Sequence, residues 1–461
     1  MTGLHDLSAA TLSNAYRSRQ LSPVEVTRAA LARIAAWEGK INAMYITAAE
    51  AALAQAAASE ARWRTGAPRS ALDGVPITIK DNIAVAGYPT PLGTAAGDTT
   101  PSEADSPPAA RVREAGCVLL GKTTMPDYGM LVSGVSSLHG ITRNPWDLAR
   151  NPAGSSSGAG AGVAAGYAPL ALGTDIAGSV RLPAAYNGVF ALKPSLGRVP
   201  IYPPFLGRIV GPITRTVTDA ALLMRALAQP DGRDFMALPH QEIDWGSLDA
   251  DVAGRKLGLL LDIGVGTKPQ PAVHRAVEAA AATFERAGAI VEPATPFMTA
   301  EMMDGLDRFF QARLWADVER LAPERRAKVQ PFIVAWCRQA EGSSAADAAR
   351  NLALVMQIRE AAVAASTRHD FLLSPTSPIT AYAATEATPG DDPTRPFEHI
   401  AFTAPFNMSE QPAASVCAGH DADGMPIGLQ IVGRRFDDLG VLSMARAYER
   451  MRPQPRPWPQ P

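Results

Sequence analysis

The sequence predicts an α/β fold, in which helices cover both faces of a β-sheet. Short apolar runs such as 117-CVLLGKT-123 have the continuous hydrophobicity of strands that are buried on both faces. These runs alternate along the chain with longer segments of helical period. Because no sequence repeat and no linker divides the pattern, we expect one large domain over residues 1–461.

The N-terminal part of this domain, residues 1–65, is predicted to be helical. In 22-SPVEVTRAALARIAAWE-38, Ser22 is placed to cap a helix and Pro23 to occupy its first position. The Ala-rich segment 46–64 has the same helical period.

We expect the central part of the domain over residues 70–230 to form its catalytic core. Short apolar runs alternate there with segments of helical period. Residues 74–85 are rich in β-branched side chains and predict a strand that turns at Asp81 and Asn82. Further strands are predicted at 117–123, 170–177 and 189–195, and helices at 107–116, 158–169 and 213–227.

The C-terminal part, residues 231–451, continues the alternation. Strands are predicted at 255–261, 289–294, 370–377 and 426–434, and helices at 271–288, 300–366 and 438–451. The tail 452–461 is rich in proline, so we expect it to be mobile or to lie along the surface.

Composition excludes several classes of function. The formal net charge is −2 and no run is rich in Lys and Arg, which argues against binding of nucleic acid. No run of about 20 apolar residues predicts a membrane span, and the N-terminus does not resemble a signal peptide. The cysteines Cys117, Cys337 and Cys417 are far apart, which favours a reducing, cytoplasmic setting and no metal site.

Two turns rich in Gly and Ser, 151-NPAGSSSGAGAGVAAG-166 and 173-GTDIAGSVRLP-183, are the most unusual feature. A flexible linker is one interpretation, but apolar segments flank the first turn. A phosphate-binding loop is another, although neither GxxxxGK[ST] nor GxGxxG is matched. The third interpretation is nucleophilic catalysis by a serine.

Serine catalysis needs a base. The run 154–158 satisfies GxSxG with Ser156 as nucleophile, but a late histidine such as His420 would then have to complete the site. Alternatively, a buried lysine whose pKa is lowered can act as the base. Lys80, at the end of 75-VPITIK-80, is the best candidate, although a lysine at a strand end can also extend to solvent.

Lys80 in IKDN, Ser155 in 154-GSSSG-158 and Ser179 in 173-GTDIAGSVRLPA-184 together resemble the amidase signature family. The resemblance extends from about residue 5 to residue 450 and implies an α/β/α sandwich with a mostly mixed, twisted sheet. Further segments similar to the family are 121–129, 142–147, 188–200, 211–223 and 426–433.

The resemblance also implies a mechanism. Ser179 is expected to attack the amide carbonyl, Ser155 to bridge it to Lys80, and Lys80 to act as base. A cis peptide is expected between Gly154 and Ser155. The oxyanion hole is expected to consist of the backbone N–H groups of Ile176, Ala177, Gly178 and Ser179.

Three further residues are expected to support this site. Asp175 and Arg181 are expected to pair across the loop, unless they form only a weak surface ion pair. Ser156 is expected to donate a hydrogen bond near the nucleophile or to cap the following helix.

Ala177 stands where the family has Gly, so a positive φ at this position would impair the oxyanion hole. Ser157 adds a third hydroxyl beside the relay.

We therefore expect an amidohydrolase that cleaves linear amides with aryl or apolar substituents, and also carbamates or esters, without metal or cofactor. Its partner is a small-molecule amide, and the chain is expected to be a monomer or homodimer. The substrate pocket is expected to include Tyr128, Met130, Phe205, Leu206 and Trp315, unless they are ordinary core residues. The alternatives are a glutaminase subunit of a tRNA-dependent amidotransferase and an inactive binding protein.

Overall fold

A computed structural model describes residues 3–454 and 456–461. Its strands are short and most of them are buried. They are β1 (Met44–Thr47), β2 (Pro76–Lys80), β3 (Val118–Thr123), β4 (Val135–Ser136), β5 (Gly140–Ile141), β6 (Leu170–Asp175), β7 (Phe190–Lys193), β8 (Ile209–Thr214), β9 (Lys256–Leu259), β10 (Ile290–Pro293), β11 (Phe371–Pro375), β12 (Ala413–His420) and β13 (Pro426–Val432).

One mixed sheet contains 11 of these strands, in the order β1-β3-β2-β6-β8-β7-β12-β13-β11-β9-β10. Strands β3, β2 and β6 run parallel to one another, as do β11, β9 and β10. The central strands β8, β7, β12 and β13 pair antiparallel with their neighbours. The predicted α/β fold with a mixed sheet is confirmed.

Helices cover the sheet. They are α1 (Ala9–Arg17), α2 (Pro23–Ile41), α3 (Ala49–Thr65), α4 (Pro107–Glu114), α5 (Ser157–Ala165), α6 (Arg181–Asn187), α7 (Val217–Leu227), α8 (Pro271–Arg286), α9 (Ala300–Val318), α10 (Pro323–Arg326), α11 (Pro331–Cys337), α12 (Ala345–Ser366), α13 (Ala404–Met408) and α14 (Asp438–Met451). Among the described residues, none of these helices is long and apolar enough to cross a membrane.

Local chemistry explains where the helices begin. Ser22 caps α2 as its sequence predicts, and the structure adds a capping box, because the Ser22 hydroxyl accepts the backbone N–H of Glu25 and the Glu25 carboxylate accepts that of Ser22. The predicted helical stretch 300–366 is divided, because Pro323 and Pro331 each occupy the first turn of a new helix.

The sequence patterns do not predict five of the strands, and two of these, β4 and β5, have only two residues each. The whole of β1 falls in the N-terminal part predicted to be helical, but it pairs with β3 before α3 begins at Ala49. Ile213 and Thr214, at the start of the predicted helix 213–227, belong to β8, and α7 begins only after its cap Thr216. No element is predicted for β12. Runs of four to eight residues carry too few side chains to display a period, so pairing with neighbouring strands decides their structure.

The core lies on both faces of the sheet. Leu373 and Ile431 pack in a large apolar cluster with α7, α8 and α14. Their chain neighbours Leu372 and Val432 pack in a second cluster with α9, α11 and α12. Adjacent strand residues point to opposite faces, so each strand contributes to both clusters.

The Pro-rich tail lies along the surface. The Arg215 guanidinium is 4.5 Å from the ring centroid of Trp458, and Arg33 Nη2 donates to the Pro459 carbonyl at 2.9 Å. The same arginines donate to carbonyls at the C-terminal end of α5, Arg33 to that of Ala165 at 2.7 Å and Arg215 to that of Val163 at 3.0 Å. The tail is therefore attached to the two side chains that cap α5.

We expect Trp458→Ala to lower the free energy of unfolding by about 1–2 kcal/mol, because a cation–π contact and its packing are lost. Urea denaturation followed by circular dichroism measures this change. Phe235→Ala is the matched control, since the Phe235 side chain is 85% exposed, and its effect should stay within about 0.5 kcal/mol. Equal effects of both variants would contradict the prediction.

Candidate active site

The residues singled out from the sequence meet at one edge of the sheet. Lys80 is the last residue of β2, and β6 lies next to it in parallel. Ser155 stands just before α5, and Ser179 lies on the turn that follows β6. Because the carboxyl ends of parallel strands meet at the same edge, the fold brings the three side chains together there.

Lys80 is fully buried and surrounded by hydroxyl groups. Its Nζ lies 2.8 Å from Ser155 Oγ, 3.0 Å from Ser156 Oγ and 2.9 Å from Thr174 Oγ1. Burial lowers the pKa of Lys80 to about 7, although the nearby Asp175 and Asp81 carboxylates act to raise it. The side chain therefore does not extend to solvent.

This arrangement suits both protonation states of the amine. An ammonium donates three hydrogen bonds, one to each hydroxyl oxygen. A neutral amine donates two and accepts one through its lone pair, and each of the three hydroxyls can be that donor. Proton uptake by Lys80 consequently leaves no polar atom without a partner.

Thr174 is a site residue that the sequence patterns do not predict. Its hydroxyl contacts Lys80 Nζ and also accepts a hydrogen bond from Asn82 Nδ2 at 3.0 Å. Both residues lie within two positions of Lys80 or Asp175 in the sequence. Their polarity at the end of a buried strand is the one signal that could have indicated them.

A cis peptide bond precedes Ser155, and three hydrogen bonds hold Ser156. The Gly154–Ser155 peptide bond is cis. The Ser156 hydroxyl makes no capping bond to α5 but contacts Lys80 Nζ and donates to the Thr174 carbonyl at 3.3 Å. Its backbone N–H donates to the carbonyl of Ser179 at 3.2 Å. Ser156 thus connects the lysine to the backbone of the serine on the opposite turn.

The alternative pairing of Ser156 with His420 has no support in these contacts. The His420 ring lies 5.4 Å from that of Trp146 in an edge-on arrangement, and Ser156 is hydrogen-bonded to Lys80 instead. Within residues 3–454 and 456–461, no cluster of His, Cys, Asp and Glu is arranged to bind a metal ion.

Ser179 opens onto an apolar cleft. Its side chain is almost buried, and its hydroxyl makes no hydrogen bond to the described residues. The lining of the cleft consists of Gly129, Met130, Leu131, Val132, Ile176, Ala177, Ser179, Phe310, Phe397 and Ile400.

The turn after β6 presents a set of backbone N–H groups. Those of Ile176, Ala177 and Ser179 have no acceptor among the described residues. The N–H of Gly178 differs from expectation, because it donates to Asp175 Oδ1 at 2.7 Å and is not free for a substrate. The available donors are therefore three rather than four.

Glycine is required at 178 and not at 177. Gly178 has φ of +130°, and a Cβ there would lie 2.5 Å from Thr403 Oγ1. Ala177 does not have a positive φ. Its methyl group thus causes no backbone strain in the turn, and the concern raised by the missing family glycine does not apply.

A buried ion pair shapes this turn. Asp175 and Arg181 are both fully buried, with Oδ2 and Nε 3.0 Å apart. Asp175 also accepts the N–H of Gly178 and that of Val180 at 3.1 Å. Burial acts to raise the pKa of Asp175, but the charge and hydrogen bonds of Arg181 outweigh it and lower the pKa to about 2. The pair is not a surface contact.

Residues from the C-terminal third complete the network, and sequence reasoning missed them. Arg181 donates to the Thr403 carbonyl at 3.0 Å, to Gln430 Oε1 at 2.7 Å and to Asn407 Oδ1 at 2.5 Å. With its two bonds to Asp175, all five guanidinium N–H groups have acceptors. More than 220 residues separate Arg181 from these partners, so no local pattern indicated them.

The five expected pocket residues are dispersed. Met130 lines the cleft. Tyr128 and Leu206 are partly buried against the surrounding apolar cluster. The Phe205 ring stacks on Phe309, with centroids 6.4 Å apart. Trp315, on α9, is buried in the same apolar cluster and does not line the cleft. It is therefore an ordinary core residue, as the alternative interpretation expects.

Three lining residues, Val132, Phe397 and Ile400, are not anticipated by the sequence patterns. Phe397 and Ile400 lie in the loop before α13, where neither period nor motif marks them. Phe310 lies on α9, within the stretch 300–366 that the sequence predicts to be helical. The cleft therefore draws on segments that are distant in the chain.

Known proteins resemble this chain over nearly its whole length. A sequence model of the amidase family matches residues 25–442. The chain is 36% identical to a glutamyl-tRNA(Gln) amidotransferase subunit of Myxococcus xanthus, with 97% of both chains covered. A bacterial aryl acylamidase of the amidase signature family has a TM-score of 0.89 at 32% identity, with 96% of both chains covered. A 6-aminohexanoate cyclic dimer hydrolase has a TM-score of 0.90 at 27% identity, with 100% of this chain and 99% of that chain covered.

We expect Asp175→Asn to destabilise the protein by about 3–5 kcal/mol, because the buried charge of Arg181 loses its partner. The lowered pKa means that the ion pair stabilises the fold fully above about pH 4 and less as the pH falls toward 2. Denaturant titrations at several pH values measure both effects.

The control for this variant is Asp262→Asn. Asp262 pairs with Lys268 at 2.7 Å on the surface, so its loss should cost less than about 1 kcal/mol. A similar small cost for both variants would show that the buried pair does not carry the stability assigned to it.

Proposed function

This chain belongs to the amidase family, and on that premise we propose that it hydrolyses linear amides with aryl or apolar substituents through an acyl-enzyme on Ser179. Carbamates and esters with the same substituents fall within the proposal. One observation carries it: a buried lysine with a pKa lowered to about 7 lies 2.8 Å from Ser155 Oγ, in the site where Ser179 opens onto an apolar cleft.

In the proposed reaction, Ser179 Oγ attacks the carbonyl carbon of the amide. Its proton passes to Ser155, and the proton of Ser155 passes to the neutral Lys80 amine. The Ser179 hydroxyl is not hydrogen-bonded to the described residues, so it must turn toward Ser155 as substrate binds. A hydroxyl that is free of other partners can make this rotation without breaking a bond.

Negative charge then develops on the carbonyl oxygen. The N–H groups of Ile176, Ala177 and Ser179 are proposed to stabilise it, since they have no acceptor among the residues that the structure describes. As the intermediate collapses, Lys80 returns a proton through Ser155 to the leaving nitrogen. Water then attacks the ester on Ser179 by the same proton route and releases the acid.

The cleft supports the choice of substrate class. Its lining is aliphatic and aromatic, and within the described residues it includes no charged side chain. An alkyl or aryl group gains free energy by entering such a cleft. The ammonium group of a free amino acid would lose hydration there without gaining an ion-pair partner.

A second candidate is the glutaminase subunit of a tRNA-dependent amidotransferase. The 36% identity to an amidotransferase protein supports it. In that case the chain would release ammonia from glutamine only together with partner subunits. The composition of the cleft favours the first candidate, because glutamine carries two charges on its α-carbon.

We expect the purified chain alone to hydrolyse an anilide or an aryl carbamate, and not glutamine. Ser179→Ala should lower this turnover by about 10³-fold or more, because the acyl-enzyme cannot form. Amine release measures the rate. His420→Ala is the matched control and should retain the activity, since His420 packs on Trp146 away from the hydroxyl network.

Two outcomes would contradict this proposal. Release of ammonia from glutamine in the presence of partner subunits, with no turnover of the anilide, would favour the amidotransferase. Unchanged anilide hydrolysis by Ser179→Ala would remove Ser179 as the nucleophile.

We expect kcat/KM to rise with pH through about 7, because only the neutral amine of Lys80 can accept the proton from Ser155. Lys80→Met should abolish both the activity and this dependence. Lys268→Met, on the surface, should leave the profile unchanged. A profile for the unmodified chain that is flat from about pH 5 to 9 would assign the base to another group.

A further inference from the structure

We infer that Arg208 and Arg313 form a subsite beside the Ser179 cleft that binds a carboxylate on the amide substrate. Assignment of the ligand to the substrate rests on the proposed function. The positive charge of the subsite and its unoccupied donors do not rest on it.

Arg313 lies next to the cleft through its own helix. It follows Phe310, which lines the cleft, by three residues on α9, and residues at this spacing share one helix face. Its guanidinium lies 4.0 Å from the ring centroid of Phe205. This ring holds the plane of the guanidinium, while the N–H edge remains available.

Arg208 lies at the end of the loop that leads into β8. It immediately precedes Ile209, the first residue of β8. Ile209 is paired with Asp175, the last residue of β6, after which the turn that carries Ser179 begins. The carbonyl of Gly207 accepts a hydrogen bond at 3.0 Å from Asn407 Nδ2, which also donates to Asp175. Arg208 is therefore anchored one residue from the network that shapes the active-site turn.

Both arginines contact Phe205, because the backbone N–H of Arg208 donates to the Phe205 carbonyl at 3.1 Å and the Arg313 guanidinium lies over the Phe205 ring. Burial lowers the pKa of Arg208 to about 10, and the charge of Arg313 lowers it further while Asp234 opposes the change. The charge of Arg208 also acts to lower the pKa of Lys80. The positive charges of Arg208 and Arg313 therefore lie around Phe205, next to the start of β8 and to α9.

Neither arginine has a salt bridge within the described residues. By contrast, Arg198 and Arg215 lie 3.0 Å and 2.8 Å from carboxylate oxygens. Asp234, whose charge acts on Arg208, already accepts the backbone N–H groups of Ile201 and Met236 at 2.9 Å and 2.8 Å. Two partly buried cations beside an active-site cleft, with no carboxylate in direct contact among the described residues, are the arrangement expected of an anion subsite.

The donor count supports a planar anion. Arg208 uses its guanidinium for one bond, to the carbonyl of Pro203. Arg313 makes no hydrogen bond to the described residues, although Asp317 lies within electrostatic range. The remaining N–H groups form forks of the geometry that a carboxylate accepts in pairs. The same charges repel an ammonium group, which disfavours a free amino acid such as glutamine.

The substrate class inferred is therefore an amide with an apolar body and one carboxylate, either on the acyl part or on the amine part. Two pairs of probes distinguish these positions. The first pair is 4-(butanoylamino)benzoate and its neutral analogue butanoyl-4-toluidide. The second pair is glutaric acid monoanilide and the neutral pentananilide.

Binding of the four probes to Ser179→Ala protein is measured by calorimetry. We expect the carboxylate member of one pair to bind at least about tenfold more tightly than its neutral analogue. Arg208→Gln and Arg313→Gln should each remove most of this preference. Arg308→Gln, an exposed arginine of the same helix, is the matched control and should retain it.

Equal binding within both pairs, or a preference that survives in both Gln variants, would overturn the inference. If a Gln variant fails to fold, the salt dependence of the Ser179→Ala protein decides. The preference should decrease as ionic strength rises from about 0.05 to 0.5 M, and a constant preference would overturn the inference. Turnover of the neutral anilide by the unmodified chain tests the proposed function separately.

Discussion

The buried pair of Asp175 and Arg181 is the interaction on which the rest of the site depends. Asp175 fixes the turn that carries Ser179 by accepting two of its backbone N–H groups. Arg181 extends the same network to Asn407 and Gln430, and so joins the first half of the sheet to the second. A charge buried in this way is stable only when every donor is satisfied, so the geometry of the turn and the assembly of the sheet require each other.

Burial favours the neutral form of Lys80, whereas Asp175 remains charged beside Arg181. Within the described residues no carboxylate contacts the Lys80 amine directly, and three hydroxyl groups accept or donate as the protonation state demands. Desolvation therefore lowers its pKa, whereas Arg181 lowers that of Asp175. Two buried ionisable groups at one sheet edge thus differ in their role, because one has a charged partner and the other has only neutral partners.

Sequence patterns predicted the elements that have long periods or strong caps, and they placed Lys80, Ser155 and Ser179 on one site through a family resemblance. They did not indicate β12 or the supporting residues Asn407 and Gln430, because these act through contacts that cross more than 220 residues. Nor did they indicate that the N–H of Gly178 faces Asp175. Composition alone could not separate the cleft residues from the core, since both sets are equally apolar.

The residues that complete the hydrogen-bond network of Arg181 are synthesised long after Arg181 itself. Lys80, Asp175 and Arg181 leave the ribosome long before Asn407 and Gln430, which Arg181 requires as acceptors. The Trp458 and Pro459 contacts to the arginines that cap α5 come later still. A nascent chain must therefore hold the charge of Arg181 in water until Asn407 and Gln430 emerge, and the active site is completed only after that point of synthesis.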